Sequence, residues 1–117
     1  MSSDQPSPDS FLPLSNLSFH ILLALGDGPA HGYAIGKEVE ERSGGKLKPT
    51  TGGLYQALRR LAEDGLIASA TPRLGESTDA RRQYFKLTGL GKRVAAQEAA
   101  RLNALITVAR QRKLFSR

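Results

Sequence analysis

Apolar residues recur along this chain with two different periods, and the switches between them mark out its elements. From Leu14 to Leu25, the residues Leu14, Leu17, Ile21, Leu22, Ala24 and Leu25 keep helical spacing, and Ser15 or Asn16 can cap the start. Gly26-Asp27-Gly28-Pro29 stops that helix and turns the chain. A second helix is expected from about Gly32 to Arg42, with Ile35 and Val39 on its apolar side and Lys37, Glu38, Glu40 and Glu41 in water. Ser43-Gly44-Gly45 ends it, because glycine suits a left-handed cap. A third helix begins at Thr50 or Thr51 and ends at Gly65. At roughly 100° per residue, Leu54, Ala57, Leu58, Leu61 and Ala62 share one face. Gly52, Gln56, Arg59 and Arg60 fall opposite, with Tyr55 on the flank.

After Gly65 the period shortens. Leu66 to Thr71 and Gln83 to Leu87 read as two strands of a hairpin, the second alternating imperfectly. Pro72 to Arg82, between them, is rich in turn formers and carries Arg73, Arg81 and Arg82. Thr88 then caps a final helix reaching towards Leu114. Residues 1–13 are mostly Ser, Pro, Asp and Gln and read as a disordered lead-in, with Phe11 and Leu12 as exceptions that can dock on something hydrophobic.

Three short helices, a two-stranded hairpin and one long helix make a mainly α protein: a winged helix-turn-helix over residues 14–88, followed by a C-terminal helix and basic tail over 89–117. The last helix carries Leu90, Val94, Leu102, Leu105, Ile106, Val108 and Ala109 on one broad side. So small a domain covers only part of that surface, so the rest seeks a partner helix.

The composition narrows the chemistry. The 117 residues fit one domain, and the absence of Cys removes disulfides, thiolate metal sites and a Cys nucleophile. The longest apolar stretch, Leu17 to Leu25, is too short to span a bilayer, and residues 1–16 hold no Lys or Arg for a signal peptide, so a cytoplasmic protein is expected. The net charge is +6, and its distribution is uneven. Residues 1–45 hold two basic and six acidic side chains, whereas residues 46–93 hold ten basic and four acidic. The basic excess therefore gathers around the third helix and the hairpin, which favours a polyanion as partner.

DNA reading accounts for the residue types found there. Gly52 and Gly53 remove side chains at a helix N-terminus, and Thr50 and Thr51 sit beside them, so backbone N–H groups can approach a phosphate. Gln56 suits adenine and Arg59 suits guanine, each through two hydrogen bonds. Lys46, Lys48, Arg60, Arg81, Arg82 and Lys86 are better placed for phosphates, and Arg73 or Arg81 near the wing tip is a candidate for a minor groove. Tyr55 either places its hydroxyl on the backbone or packs beneath the wing. Tyr33, near Lys37, either touches the backbone or closes the helix turn. His31 reads as a helix-start residue. His20 lies among leucines with no ligand-type neighbour, so no metal is expected there. Gly26-Asp27-Gly28 and Gly89-Leu90-Gly91 lack the strand context of a dinucleotide site, and no catalytic set or cofactor site is apparent.

Three blocks resemble the PadR family of bacterial transcriptional regulators. His31-Gly32-Tyr33-Ala34-Ile35 is similar to the motif opening its second helix. Gly52 to Leu61, with Gly65-Leu66-Ile67, is similar to its recognition helix and the start of its wing. Arg81 to Thr88, with Gly91, is similar to its returning strand and last helix. Gly53 departs from the pattern, which often has Ser or Thr there, and that leaves the helix start looser. The single C-terminal helix resembles the family's short subgroup. The resemblance implies a homodimeric DNA-binding repressor on a palindromic operator, joined through the last helix and the N-terminal one. Leu12, Leu14, Leu17, Leu90, Val94, Glu98, Leu102, Leu105, Ile106 and Ala109 are the interface candidates. Glu98 interrupts the apolar stripe, with Arg101 a turn away. It is either a local pair on the rim or an intersubunit pair that sets register. Some members of that family bind aromatic or drug-like ligands near the dimer interface, so a small-molecule effector there is a candidate partner, although no Trp is present and no aromatic precedes Phe115 on that helix to sandwich a flat ligand. The alternative to a DNA reader is a winged-helix module whose basic face serves a protein or RNA partner.

Overall fold

A computed structural model describes residues 6–71 and 83–115. The order is a 3-10 turn at Pro8–Phe11, α1 at Asn16–Ala24, a 3-10 turn at Leu25–Asp27, β1 at Ala30–His31, α2 at Gly32–Arg42, α3 at Thr51–Glu63, β2 at Ile67–Ala70, β3 at Tyr84–Leu87 and α4 at Gly89–Gln111. The winged helix-turn-helix is thus present with its long last helix.

The lead-in is not disordered from Pro8 onward. Its 3-10 turn packs on α4, and Phe11, Leu12 and Leu14 are partly buried against the core. Low local hydrophobicity argues for disorder only when nothing else offers an apolar surface, and α4 offers one. α1 starts at Asn16 with Ser15, one of the two expected residues, as its cap: the Ser15 hydroxyl oxygen accepts from the Ser18 N–H at 3.0 Å and sets the first turn.

The remaining helices are closed by local chemistry. The His31 ring caps α2, its Nδ1 accepting from the Ala34 N–H at 3.2 Å. Thr50 caps α3 through the Gly53 N–H at 2.9 Å. At the far end of α3, the Gly65 N–H donates to Ala62 and the Leu66 N–H to Leu61, both at 3.0 Å, with Gly65 at φ +81°. That is a Schellman close, and its hydrophobic contact is Leu66 on Leu61, both buried.

Ile21, Leu22, Leu25, Ile35, Val39, Leu54, Leu58, Leu61, Leu66, Ile67, Phe85 and Val94 form the core. Ala62, expected on the apolar face of α3, is exposed. The core takes a narrower arc of α3, centred on Leu54, Leu58 and Leu61.

The sheet has a third strand beyond the expected hairpin. Its order is β1-β3-β2, all antiparallel, with Ala30 opposite Phe85, His31 opposite Tyr84, and Ala70 opposite Tyr84 on the other side. β3 is therefore central. That explains its imperfect alternation, since Tyr84 and Phe85 are both buried. Phe85 joins the core, and Tyr84 meets the His31 ring edge-on at 5.3 Å.

Thr88 joins wing to α4. Its hydroxyl donates to the carbonyl oxygens of Gly65 at 2.6 Å and Leu66 at 3.1 Å, and accepts from the Gly91 N–H at 2.9 Å. Among the described residues of α4, only Gly91, Val94 and Glu98 are buried. Beyond Glu98 the helix leaves the body of the domain.

Candidate nucleic-acid interface

The outward ridge of α3 follows from its core face. With Leu54, Leu58 and Leu61 inward, Gly52, Gln56, Arg59 and Arg60 point to solvent, as does Thr51. Among the described residues, Arg59 and Arg60 make no ion pair. Two charged guanidinium groups thus stand unneutralised on one helix face.

The start of α3 is more ordered than the glycine pair suggested. Thr50 occupies the Gly53 N–H, so Gly52 supplies the open glycine N–H at this end. A Cβ built on Gly53 would lie 3.0 Å from the Thr50 hydroxyl oxygen, whereas one on Gly52 would meet nothing within 4 Å. The cap therefore crowds position 53, while nothing among the described residues requires glycine at 52.

Shallow grooves flank α3 on both sides. Towards α2, the groove is lined by Tyr33, Gly36, Lys37, Glu40, Thr51 and Tyr55, among others. Towards the start of α1, it is lined by Ser15, Ser18, Gly53, Gln56, Ala57 and Arg60. Tyr55 does not lie beneath the wing. Its ring rests on Gly32 at the start of α2, where a Cβ would overlap it, and the residue stays 42% exposed. Tyr33 is 68% exposed and stacks over His31 with ring centroids 6.3 Å apart. His31 thus bridges Tyr33 on α2 and Tyr84 in the sheet.

Not every predicted cation stands free. Lys48 pairs with Glu40 at 3.6 Å. Lys37, Lys46 and Lys86 are exposed. Arg73, Arg81 and Arg82 lie outside the described residues. Two features went unread in the sequence. Ser18 shares a groove with Gln56 and Arg60, a proximity that only packing creates. Glu63, exposed, continues the ridge of Gly52 and Gln56, and its spacing of seven from Gln56 was a usable signal.

The interface candidates divide. Val94 and Glu98 are buried within their own chain and are not available to a partner. Leu12, Leu14, Leu17 and Leu90 are partly buried on the same core, and Leu102 and Ala109 are half-buried. Leu105, Ile106 and Val108 are exposed on the projecting part of α4, with Leu23 exposed on α1. Glu98 makes the expected local pair with Arg101, but it is buried rather than on a rim and is not free to reach a partner. Its Oε1 accepts from Arg101 Nε at 2.6 Å, and its Oε2 accepts from Arg101 Nη2 at 3.0 Å and from the Leu14 N–H at 3.1 Å. The Arg101 hydrogen bonds hold the Glu98 carboxyl below the usual carboxylate range, against the opposing effect of burial, with help from the Leu14 N–H. Among the described residues, no cluster of three metal-ligand side chains occurs, and no helix is long and apolar enough to cross a membrane.

Known proteins share this arrangement. A PadR family transcription regulator from Clostridium difficile superposes with a TM-score of 0.70 at 28% identity, covering 83% of this chain and 97% of the other. PadR of Bacillus subtilis, solved in complex with operator DNA, gives a TM-score of 0.60 at 26% identity, over 73% of this chain and 46% of that one. An uncharacterized 37.1 kDa protein from a transposon of Streptomyces fradiae is 39% identical over 79 residues, and this chain spans 21% of its length. The sequence profile described as the transcriptional regulator PadR-like family matches residues 21–97. That match runs from α1 through the wing to Glu98's doorstep on α4, and the chain belongs to the PadR-like family of transcriptional regulators, not to a family of enzymes.

Proposed function

We propose that this chain binds a palindromic operator as a homodimer and represses transcription there. The observation that carries the reading is the outward ridge of α3, where Gly52, Gln56, Arg59 and Arg60 stand exposed, both arginines without an ion pair among the described residues. The Bacillus subtilis relative bound to operator DNA supports it. In this reading α3 lies in the major groove. Gln56 recognises an adenine and Arg59 a guanine, each contributing about 1–3 kcal/mol of discrimination. The Gly52 N–H approaches a phosphate, Thr50 keeps the helix start in place, and Thr51 stands beside it. Lys37, Lys46, Arg60 and Lys86 hold phosphates, with Tyr33 and Tyr55 on the α2 flank. Lys48 contributes once it leaves Glu40. Arg73, Arg81 and Arg82 extend the contact along the wing. The exposed Leu105, Ile106 and Val108 of two copies cover one another, which sets two α3 helices on successive turns of DNA. Repression follows from occupancy, since a dimer on a promoter excludes polymerase.

Selection from random duplex DNA tests the reading. It should enrich one inverted repeat, bound with an affinity that falls about a thousandfold or more between 50 and 200 mM salt. Enrichment of no motif, or an affinity indifferent to salt, would refute it.

A further inference from the structure

We propose that Glu98 is a positioning residue that straps the N-terminal segment to the root of α4 and thereby sets the operator half-site spacing. The inference rests on the dimeric DNA-binding reading above. Glu98 is 2% exposed, and it is the one buried charged residue among those described. Both carboxylate oxygens are committed within the chain, to Arg101 and to the Leu14 N–H. Leu14 directly precedes Ser15, the cap of α1, and follows the 3-10 turn that packs on α4. One carboxylate thus ties together the strap, the start of α1 and α4.

Stability alone is a poor reason for a charge in this place. A buried ion pair commonly does no better than a hydrophobic side chain of similar volume. What the carboxylate adds is direction. Its hydrogen bonds have preferred lines of approach, whereas a methyl group packs at many angles.

The location gives that direction leverage. Glu98 is the last buried residue of α4, and the helix runs on to Gln111. At 1.5 Å per residue, that outer part is a lever of about 20 Å. A tilt of about 10° at Glu98 would move its tip by about 3.5 Å, close to the ~3.4 Å separating successive base pairs. The exposed Leu105, Ile106 and Val108 lie on this lever. In a dimer joined there, a looser root translates into a looser distance between the two α3 helices.

The test uses the full chain with duplexes carrying two copies of the selected half-site, the spacer varied one base pair at a time. The wild-type protein should prefer one spacing by roughly tenfold over its neighbours. Glu98→Met and Glu98→Gln should flatten that preference to about two- to threefold, leave affinity for a single half-site unchanged, and speed hydrogen exchange at the Leu14 amide by roughly tenfold or more. Arg101 is part-exposed, so either variant leaves its charge in water. A folded variant that retains the wild-type spacing preference overturns the strap, as does flattening without faster Leu14 exchange. If Glu98→Met does not fold, Glu98→Gln decides; if neither folds, Glu98 is a stability residue and the proposal fails. A wild-type protein without any selected half-site brings down the DNA reading and the strap together. Selective binding with unaltered spacing in the variants removes the strap alone.

Discussion

At Gly91, a Cβ would overlap the carbonyl oxygen of Leu66, a backbone atom held by Thr88. Gly91→Ala should therefore cost about 3 kcal/mol and lower Tm by roughly 10 °C or more, measured by calorimetry. Gly32 differs because the atoms it would meet belong to the part-exposed Tyr55 ring, which can swing away. Gly32→Ala should stay within about 1 kcal/mol of the wild-type stability, since alanine also favours the helix. It should nonetheless weaken DNA binding to all sequences alike, read by titration against several duplexes. The first glycine serves the fold and the second the placement of a side chain. Glu98 adds a pH signature. Its folded pKa lies below the ordinary value, so its contribution is complete above the usual carboxylate range and is lost as pH falls through the lowered value. The stability advantage of the wild type over Glu98→Gln should therefore be full at about pH 7 and shrink below about pH 4, as urea unfolding at several pH values would show.

Among the elements, α2 follows its sequence pattern closely, because His31, Gly44 and Gly45 fix its two ends locally. α3 is nearly as legible. Its cap, its core face and its outward ridge all follow from a 3.6-residue period. Thr50→Ala should cost about 1 kcal/mol of stability, and Thr50→Ser should recover most of it. Because the same cap steadies the helix end that the proposed reading places at the DNA, Thr50→Ala should also weaken operator binding, a loss that urea unfolding and DNA titration would resolve separately. The elements that departed from expectation depend on partners distant in sequence. β1 is two residues long and exists because β3 offers it an edge. The 3-10 turn at Pro8–Phe11 has no buried residue of its own and settles on α4. No window of local sequence contains either partner.

For the whole molecule, the basic excess of the sequence falls in residues 46–93, of which Arg59 and Arg60 on α3 and Lys86 on β3 are exposed, while two of the acidic residues of α2 are engaged with Lys48 and Arg42. The projecting half of α4 leaves apolar side chains in water, with Leu105 54% and Val108 45% exposed. Leu105→Glu should yield monomers in sedimentation velocity and abolish tight binding to the paired operator, while weak binding to a single half-site persists. A monomeric wild-type protein would contradict that expectation.

By itself the sequence determined the four helices and the β2–β3 hairpin, their order, the winged helix-turn-helix and the polarity of α3, because periodicity, caps and glycine turns act over a few residues. It also located the basic excess. Only the tertiary structure decided that Tyr55 rests on Gly32 rather than under the wing, that His31 joins a third strand, and that Val94 and Glu98 face inward. Each of those outcomes depends on a contact between residues far apart in the chain, and burial is a property of that contact, not of the residue. Glu98 shows the difference most plainly: in the sequence it interrupts an apolar stripe, and in the fold it meets the Leu14 N–H, 84 residues away.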